Sequence, residues 1–222
     1  MKEAVIICAG APQPALHKIE PLISRYDIVK FVGADRGALR LVKAGYMLDI
    51  AVGDFDSVTA EELAFIQVKS RHFEQYPSEK DDTDTGIALM KAIELAPQAD
   101  YYLFGSLGQH GGRLDHTLCN LYLAYQARFQ PILERLVQIE THTQVQYCKA
   151  GTHIIPQVAC DYVSIIAMTP VQQLSIQGAK YTLPATDFAQ PCSLISNEFI
   201  DQPIRIDFET GIVMVMFVNE PK

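Results

Sequence analysis

Up to about residue 130, the chain alternates short apolar runs with stretches that have the period of a helix. The apolar runs are Ala4–Cys8, Ile28–Gly33, Ile50–Val52 and Tyr101–Phe104. Between and after them, apolar residues recur at helical spacing. They do so at Gly86, Leu89, Met90 and Ile93, and again at Leu114, Leu118, Leu121 and Tyr125, where we expect a helix over 114–129. This alternation predicts a mostly parallel sheet covered by helices, a fold in which ligands bind beyond the carboxyl ends of the strands.

After Pro131 the pattern changes to short runs typical of strands, separated by turn residues, with no amphipathic helix. The predicted strands are 134–140, 143–147, 153–156, 162–168, 173–176, 204–208 and 212–218. Such a series predicts an antiparallel β-sandwich or barrel. We therefore expect two domains, an α/β domain over 1–130 and an all-β domain over 131–222.

The charge of the chain narrows the classes of function. Its 222 residues are 49% hydrophobic and 20% charged, the balance of an ordinary globular protein, and its net charge is −8. An acidic chain does not offer the basic face that nucleic acid requires, so we expect no nucleic-acid partner. The excess of carboxylates instead suits a cationic substrate or a bound metal ion.

The cysteines and the N-terminus indicate a cytoplasmic protein without a membrane partner. The five cysteines are odd in number and form no CxxC pair, which favours reduced thiols over disulfides or zinc. The apolar run Ala4–Cys8 is too short to cross a membrane. We interpret that run as the first buried strand.

The first polar cluster is the segment GADRGA at 33–38, which contains Asp35. It lies after an apolar run and before a predicted helix. Asp35 could act in a ligand site or could simply cap that helix, and the segment alone does not decide between them.

The second polar cluster, GDFDS, follows the apolar run Ile50–Val52. Alternation in an extended segment puts Asp54 and Asp56 on one side and Phe55 on the other. Adjacent carboxylates repel each other unless a cation lies between them, and their oxygens suit Mg²⁺. We favour a metal site over the alternative, a solvated acidic turn that caps a helix over Thr59–Lys69.

The third polar cluster is KDDTD, which contains Lys80, Asp82 and Asp84 at the start of a predicted helix. Acidic residues are common in a first helical turn because they complement the helix dipole. Three aspartates within four residues exceed what capping needs. A Mg²⁺–phosphate complex would use the aspartates for the metal and Lys80 for phosphate oxygens.

The fourth polar cluster, GSLGQHGGRLDH at 105–116, joins the run Tyr101–Phe104 to the next predicted helix. Four glycines allow backbone N–H groups to approach an anion, and a helix N-terminus adds positive potential. Arg113, His116 and Asn120 share one face of that helix, opposite the leucines. Such a polar face is often just exposed to solvent, but its place after a glycine loop favours phosphate binding.

Taken in order, these motifs resemble the thiamin pyrophosphokinase family. GADRGA, GDFDS, KDDTD and GQHGGRLDH are followed by a β-rich region with Ser196-Asn197-Glu198, so the resemblance covers nearly the whole chain. Neither a P-loop motif nor GxGxxG after the first strand is present in the sequence, which argues against P-loop kinases and dinucleotide-binding folds. The resemblance implies transfer of a pyrophosphoryl group from ATP to thiamin, giving thiamin diphosphate and AMP.

The resemblance also implies Mg²⁺ as the cofactor and a homodimer with shared active sites. It gives Asp54, Asp56 and Asp84 as metal ligands, with Asp35 and Asp82 nearby. It gives Lys80 and Arg113 as phosphate contacts. The remaining site residues that it implies are Asp115, His116 and Asn120 at the nucleotide and Ser196 and Asn197 at thiamin.

One departure from the family concerns the thiamin site. Eukaryotic members have a tryptophan there, whereas this sequence has none, so a stacking partner is either another aromatic residue such as Phe199 or absent. The general base is also open between a metal-polarised hydroxyl and one of the aspartates. Two alternatives for the function remain: a pyrophosphokinase acting on another alcohol such as a pterin, and a non-catalytic nucleotide or thiamin sensor.

Overall fold

The computed structural model describes residues 1–108 and 111–221, which divide into two compact units. Unit 1 comprises Met1–Leu123 and Gln138–Thr141, and unit 2 comprises Ala124–Val137 and His142–Lys222. The chain therefore leaves unit 1, returns to it for four residues and leaves again. The single boundary near residue 130 stays a prediction about where the catalytic and thiamin-binding domains divide.

Unit 1 contains a parallel sheet in the order β5-β1-β2-β3-β4. Its strands are β1 Glu3–Cys8, β2 Ile28–Ala34, β3 Leu48–Gly53, β4 Ser70–Gln75 and β5 Asp100–Phe104. The sheet confirms the predicted α/β fold. The strand β4 was not predicted, because its sequence SRHFEQ is mostly polar and half-exposed at the edge of the sheet.

Helices connect these strands. They are α1 Ile19–Ile23, α2 Arg36–Lys43, α3 Ala60–Val68, α4 Asp84–Leu95 and α5 Leu114–Leu121. Short 3-10 helices lie at Leu16–Lys18, Tyr122–Tyr125 and Ala127–Arg135.

The helix predicted over 114–129 is wrong in both its length and its buried face. Regular α-helix stops at Leu121, and Gln126 has the extended torsion angles φ −80° and ψ 122°. The leucine face of α5 is exposed rather than buried, with Leu114 71% and Leu118 45% accessible in the single chain. Asn120 is the buried residue of this helix.

A short strand and six longer ones follow α5. They are β6 Leu136–Ile139, β7 Thr143–Ile155, β8 Tyr162–Ala167, β9 Val171–Gln177, β10 Leu183–Phe188, β11 Cys192–Asn197 and β12 Ile204–Val218. All pairings among β7–β12 are antiparallel, which confirms the predicted β-rich C-terminal region. The strand predicted over 134–140 is shorter than expected, because a 3-10 helix extends to Arg135.

Two pairs of predicted short strands are in fact two long strands. The segments predicted at 143–147 and 153–156 form β7, and those at 204–208 and 212–218 form β12. The register of β12 against β7 shifts between Phe208 and Ile212, where Gly211 has φ +97°. This bulge lets β12 pair with β9 before it and with β8 after it, so glycine marks a bend here and not a turn.

The five cysteines are free thiols in the structure. Within the described residues, no helix has the length and apolar character needed to cross a membrane.

Candidate active site

The first cavity of unit 1 lies where the connections of the sheet reverse direction. Strand β1 has β2 on one side and β5 on the other, and a crevice forms beyond the carboxyl ends of the strands at such a point. A cavity of 310 Å³ is lined there by Ala9–Pro12 after β1 and by glycine-loop residues after β5. Arg113, His116 and Asn120 of the predicted site also line it.

The glycine loop after β5 folds tightly. Gly105, Gly108 and Gly111 have positive φ angles. A Cβ atom on Gly112 would meet the Cα atom of Gly108 at 2.5 Å, so the loop closes on itself only with glycine there. Gln109 and His110 of the predicted motif lie outside the described residues.

The second cavity of unit 1 is the acidic one, with a volume of 430 Å³. The predicted site residues that line it are Asp35, Asp54, Asp56, Lys80, Asp82, Asp84, Arg113 and His116. Gly10, Asp35, Thr85, Arg113 and His116 line both cavities. The two cavities therefore adjoin along these shared residues.

Three aspartates of the acidic cavity can offer oxygens to one ion. One carboxylate oxygen each of Asp35, Asp54 and Asp56 lies within 4.8 Å of the others. The amide N–H of Asp56 donates to Asp54 Oδ1 at 3.3 Å, and the ring of Phe55 stacks on Phe73 away from the cavity. Phe55 has φ +57°, so the segment is a turn and not the extended segment predicted, although Asp54 and Asp56 still face the acidic cavity together.

Asp35 is not a simple helix cap. It precedes α2 with the unusual φ of 48°, and its side chain makes no capping hydrogen bond. Its Oδ2 accepts from the Ser57 hydroxyl at 2.9 Å. Among the described residues its buried Oδ1 has no hydrogen-bond partner, so this oxygen is available to bind a ligand.

Lys80 joins Asp54 to Asp84. Its ammonium nitrogen lies 3.0 Å from Asp54 Oδ2 and 3.2 Å from Asp84 Oδ1, and all three side chains are largely buried. Burial raises the pKa of Asp84, and although Lys80 opposes this, the pKa stays above its usual value. Burial also acts on Asp54, but hydrogen bonds from Lys80 and Asp56 hold its pKa below the usual value. The two aspartates that Lys80 contacts therefore have pKa values shifted in opposite directions.

Helix α4 leaves its first aspartate available to this cavity. The helix is capped by Thr83, whose hydroxyl accepts from the Gly86 N–H at 3.1 Å. Asp84, the first residue of α4, is therefore not needed as a cap. Asp82 lies in the loop just before and also faces the acidic cavity.

The predicted residues of α5 differ strongly in exposure. Arg113 and Asp115 are mostly exposed and paired to each other, with Nη2 and Oδ2 2.6 Å apart. The hydrogen bonds from Arg113 hold the pKa of Asp115 at about 2. Asn120 is buried, and its Nδ2 donates to the Ser106 carbonyl at 2.8 Å. Asn120 thus contacts the glycine loop directly.

Ser196 and Asn197 lie in unit 2, at the end of β11. The exposed Ser196 has φ 60°. The buried amide of Asn197 accepts from the N–H groups of Tyr181 and Glu198, each at 2.9 Å, and donates to the Tyr181 carbonyl at 2.7 Å. Asn197 therefore holds Tyr181, while Phe199, the aromatic residue predicted for stacking, packs on Phe217 with ring centroids 6.4 Å apart.

Sequence reasoning missed several residues around these cavities. Thr85 and the loop Ala9–Pro12 line them, and that loop could have been found because it follows the first strand. Gln138 and Glu140 are buried behind the glycine loop. Their only signal in the sequence is a pair of polar residues at alternate positions of an apolar run.

A glycine loop beside clustered carboxylates, at the carboxyl ends of parallel strands, characterises enzymes that handle nucleotide phosphates. Residues 22–133 match the family model "Thiamin pyrophosphokinase, catalytic domain", and residues 152–213 match "Thiamin pyrophosphokinase, vitamin B1 binding domain". The chain belongs to the thiamin pyrophosphokinase family.

Individual relatives agree with these matches over the full length of the chain. The thiamine pyrophosphokinase of Bacillus subtilis (strain 168) is 30% identical over 217 residues, 96% of this chain and 98% of the relative. The crystal structure of a thiamin pyrophosphokinase family protein from Enterococcus faecalis is similar with a TM-score of 0.87 and 36% identity, covering 99% of this chain and all of that one. The Bacillus subtilis enzyme structure gives a TM-score of 0.82 at 28% identity, covering 98% of this chain and all of that one.

Proposed function

We propose that the protein transfers the pyrophosphoryl group of ATP to the hydroxyl of thiamin, giving thiamin diphosphate and AMP. This proposal rests on the matches to both family models. The catalytic-domain match precedes the vitamin B1 binding-domain match along the chain, as the proposed ATP site precedes the proposed thiamin site. In the reaction the thiamin hydroxyl oxygen bonds to the β-phosphorus, and the bond from that phosphorus to the oxygen of the leaving AMP breaks. Such transfers depend on in-line positioning and on neutralising charge more than on a strong base.

The glycine loop and the α5 N-terminus bind the triphosphate in this proposal. The cavity beside them is lined by Gly105, Ser106, Gly108, Gly111 and Gly112 and by Arg113, whose side chain is exposed enough to turn toward a phosphate. His116 and Asn120 line the same cavity, and Asp115 holds the Arg113 guanidinium from the other side. A guanidinium suits this role because its donors match phosphate oxygens.

We place Mg²⁺ in the acidic cavity. Asp35, Asp54 and Asp56 would hold it, because their oxygens converge and the buried Asp35 Oδ1 has no hydrogen-bond partner within the described part of the chain. Asp84 and Asp82, in the same cavity, complete the acidic set. When bound, Mg²⁺ neutralises charge on the phosphate oxygens. Lys80 keeps the predicted role of a phosphate contact, which requires it to shift from Asp54 or Asp84.

Thiamin binds in unit 2 in this proposal, beside Ser196. A cavity of 190 Å³ there is lined by Tyr181, Leu194, Ile195 and Asn197, among others. Tyr181 is 59% exposed and is the aromatic ring best placed for stacking, since Asn197 fixes its backbone on both sides. A cationic thiazolium ring would gain from an aromatic face.

We further propose that the protein is a cytoplasmic homodimer with shared active sites. The exposed apolar side chains of Leu114, Leu118 and Tyr122 follow one another along one end of unit 1 and support an interface between copies. Free thiols at all five cysteines suit the cytoplasm.

Product analysis tests the reaction. Incubation with ATP, Mg²⁺ and thiamin should yield AMP and thiamin diphosphate in equal amounts, as measured by chromatography or phosphorus NMR. ADP with thiamin monophosphate as the main products would refute pyrophosphoryl transfer. A parallel incubation with a hydroxymethylpterin in place of thiamin should yield no AMP. Turnover of the pterin but not of thiamin would instead identify the pterin as the substrate.

A further inference from the structure

Four carbonyl groups at the start of the glycine loop are hydrogen-bonded within unit 1. Four consecutive carbonyl oxygens, those of residues 105 to 108, each accept a hydrogen bond from unit 1. The donors are, in order, Ala11 N–H at 3.1 Å, Asn120 Nδ2 at 2.8 Å, Thr117 Oγ1 at 2.8 Å and Gly112 N–H at 3.0 Å. Carbonyl oxygens carry partial negative charge and would repel a phosphate if they faced the cavity, so this arrangement suits an anion.

A closed ring of buried side chains fixes the first half of the loop. Gln138 accepts from the Ser106 hydroxyl at 3.1 Å and donates to the Asn120 carbonyl at 2.9 Å. Asn120 in turn donates to the Ser106 carbonyl at 2.8 Å. All three residues are at most 4% exposed, so each bond is costly to lose. The ring ties the loop, helix α5 and strand β6 together within unit 1.

A buried carboxylate fixes the next peptide of the loop. Glu140 is 1% exposed, and its Oε1 accepts from the Leu107 N–H at 3.1 Å. The strand end that carries Glu140 is itself anchored, because the Lys18 ammonium donates to the carbonyls of Glu140 and Thr141 at 2.6 and 2.9 Å. A buried ionisable side chain needs hydrogen-bond partners, and the Leu107 amide is one of the partners of Glu140, so this bond helps to fix the orientation of the peptide.

We propose that Gln138 and Glu140 are positioning residues of the ATP site. Neither lines the two cavities described above, so they act through the loop and not on substrate. Together they hold the peptides at Ser106 and Leu107 with their carbonyls away from the triphosphate. This inference rests on the proposed function, since it assigns the loop to ATP.

Paired substitutions separate a positioning role from a merely structural one. Glu140→Gln keeps an acceptor oxygen for the Leu107 N–H, whereas Glu140→Leu removes it. Gln138→Leu removes the side-chain bonds of Gln138 to Ser106 and to the Asn120 carbonyl. The matched control is Tyr101→Phe, which deletes a buried hydrogen bond to the Ala96 carbonyl, at the other end of β5 from the loop. Each variant is measured for binding of a non-hydrolysable ATP analogue by calorimetry and for the KM of thiamin.

We expect Gln138→Leu and Glu140→Leu to weaken binding of the analogue about tenfold, the scale of one lost buried hydrogen bond. Glu140→Gln and Tyr101→Phe should stay within about twofold of wild type, and the KM of thiamin should not change in any variant. The inference would be overturned if Gln138→Leu bound the analogue as tightly as the wild type. It would also be overturned if Tyr101→Phe lost as much affinity for the analogue as Gln138→Leu. If Glu140→Leu does not fold, Gln138→Leu decides alone. Failure of the wild-type protein to bind the analogue would instead refute the proposed function.

Discussion

Among single residues, Lys80 places a positive charge between two aspartates of the acidic cavity. Its ammonium group bridges Asp54 and Asp84, and both aspartates lie in the same cavity as Asp35 and Asp56. Without a bound cation these carboxylates repel one another. The lysine lowers that repulsion, and its own pKa is raised by the two carboxylates despite the opposing effect of burial. The metal-free cavity is therefore partly neutralised by a residue of the chain itself.

Replacing this lysine should make the stability of the protein depend on metal. Lys80→Gln should lower the free energy of unfolding by about 1–3 kcal/mol without Mg²⁺, between the values for exposed and buried ion pairs. Adding Mg²⁺ should recover most of the loss, because the ion would neutralise the same carboxylates. Denaturant titrations with Mg²⁺ and with EDTA measure both effects.

Lys91→Gln provides the control for this experiment. Lys91 also contacts two carboxylates, those of Glu74 and Glu94, but neither lines the acidic cavity. Any loss of stability in Lys91→Gln should be the same with and without Mg²⁺. Equal behaviour of the two variants would contradict the role given to Lys80.

Asp56 and Asp35 provide the direct test of the metal site. Asp56→Asn and Asp35→Asn should each lose most turnover, on the order of a hundredfold or more at limiting Mg²⁺, because each removes a charged ligand. The fold should survive, and lower carboxylate repulsion could even stabilise the metal-free variants slightly. Asp27→Asn is the control, since Asp27 is exposed, accepts from the Lys2 N–H and lines neither cavity. Near-wild-type rates in Asp56→Asn at limiting Mg²⁺ would refute its assignment.

At the scale of elements, the loop after β5 depends on close approach of backbone to backbone. The backbones of Gly108 and Gly112 are so close that a Cβ atom on Gly112 would lie 2.5 Å from the Cα atom of Gly108. Four loop carbonyls are fixed at the same time by donors from unit 1. A side chain at this position must therefore displace the loop and not a flexible neighbour.

Gly112→Ala should lower both stability and ATP affinity. Displacing packed backbone costs about 1–3 kcal/mol, and the shifted loop should bind the ATP analogue more weakly. Gly10→Ala is the control for stability, because a Cβ atom there meets nothing within 4 Å and Gly10 does not have a positive φ. Thermal unfolding and calorimetry test the pair. Unchanged stability in Gly112→Ala would show that the loop can adapt.

The elements of the chain differ in how far the sequence predicts them. The inner strands β1, β2, β3 and β5 are apolar runs because both faces are covered, and their patterns are correct to within two residues. The edge strand β4 is not visible in the sequence, because much of it is exposed to solvent and it therefore lacks an apolar run. Gly151 and Gly211 suggest turns, yet both lie inside long strands. Local pattern cannot distinguish a turn from a bulge that only partner strands define.

The candidate site is likewise only partly predictable from local sequence patterns. The aspartates and the glycine loop are visible in the sequence because each follows a strand. The convergence of Asp35 with Asp54 and Asp56, from two different strand ends, depends on β2 and β3 being neighbours. The supports Gln138 and Glu140 come from a segment beyond α5 that the spacing of residues does not connect to the loop.

At the scale of the whole molecule, the exposed apolar face of α5 is the interface that we propose between two copies of the chain. Leu118→Glu should shift the protein toward monomer in analytical ultracentrifugation, because it puts a charge into the proposed apolar interface. Val68→Glu, on a residue that is 76% exposed on α3, should leave the mass unchanged. If the two variants dimerise equally strongly, this face of α5 is not part of the interface.

Mixed dimers test whether active sites are shared. Asp56→Asn damages the metal site, and Ser196→Lys puts bulk and positive charge beside the cationic thiamin. Random pairing makes about half of the refolded dimers mixed, and each mixed dimer would contain one intact site, restoring about a quarter of wild-type activity. Activity no higher than that of the separate variants, with mixed dimers shown by mass spectrometry, would place each site within one chain.

The return of the chain to unit 1 at Gln138–Thr141 has a consequence for biosynthesis. The ribosome synthesises the glycine loop some thirty residues before Gln138 and Glu140, which are hydrogen-bonded to it. A nascent chain that ends at residue 130 therefore carries every aspartate of the acidic cavity but neither support of the loop. In the proposed arrangement, the nucleotide pocket is therefore complete only after translation has passed through a segment of the other unit.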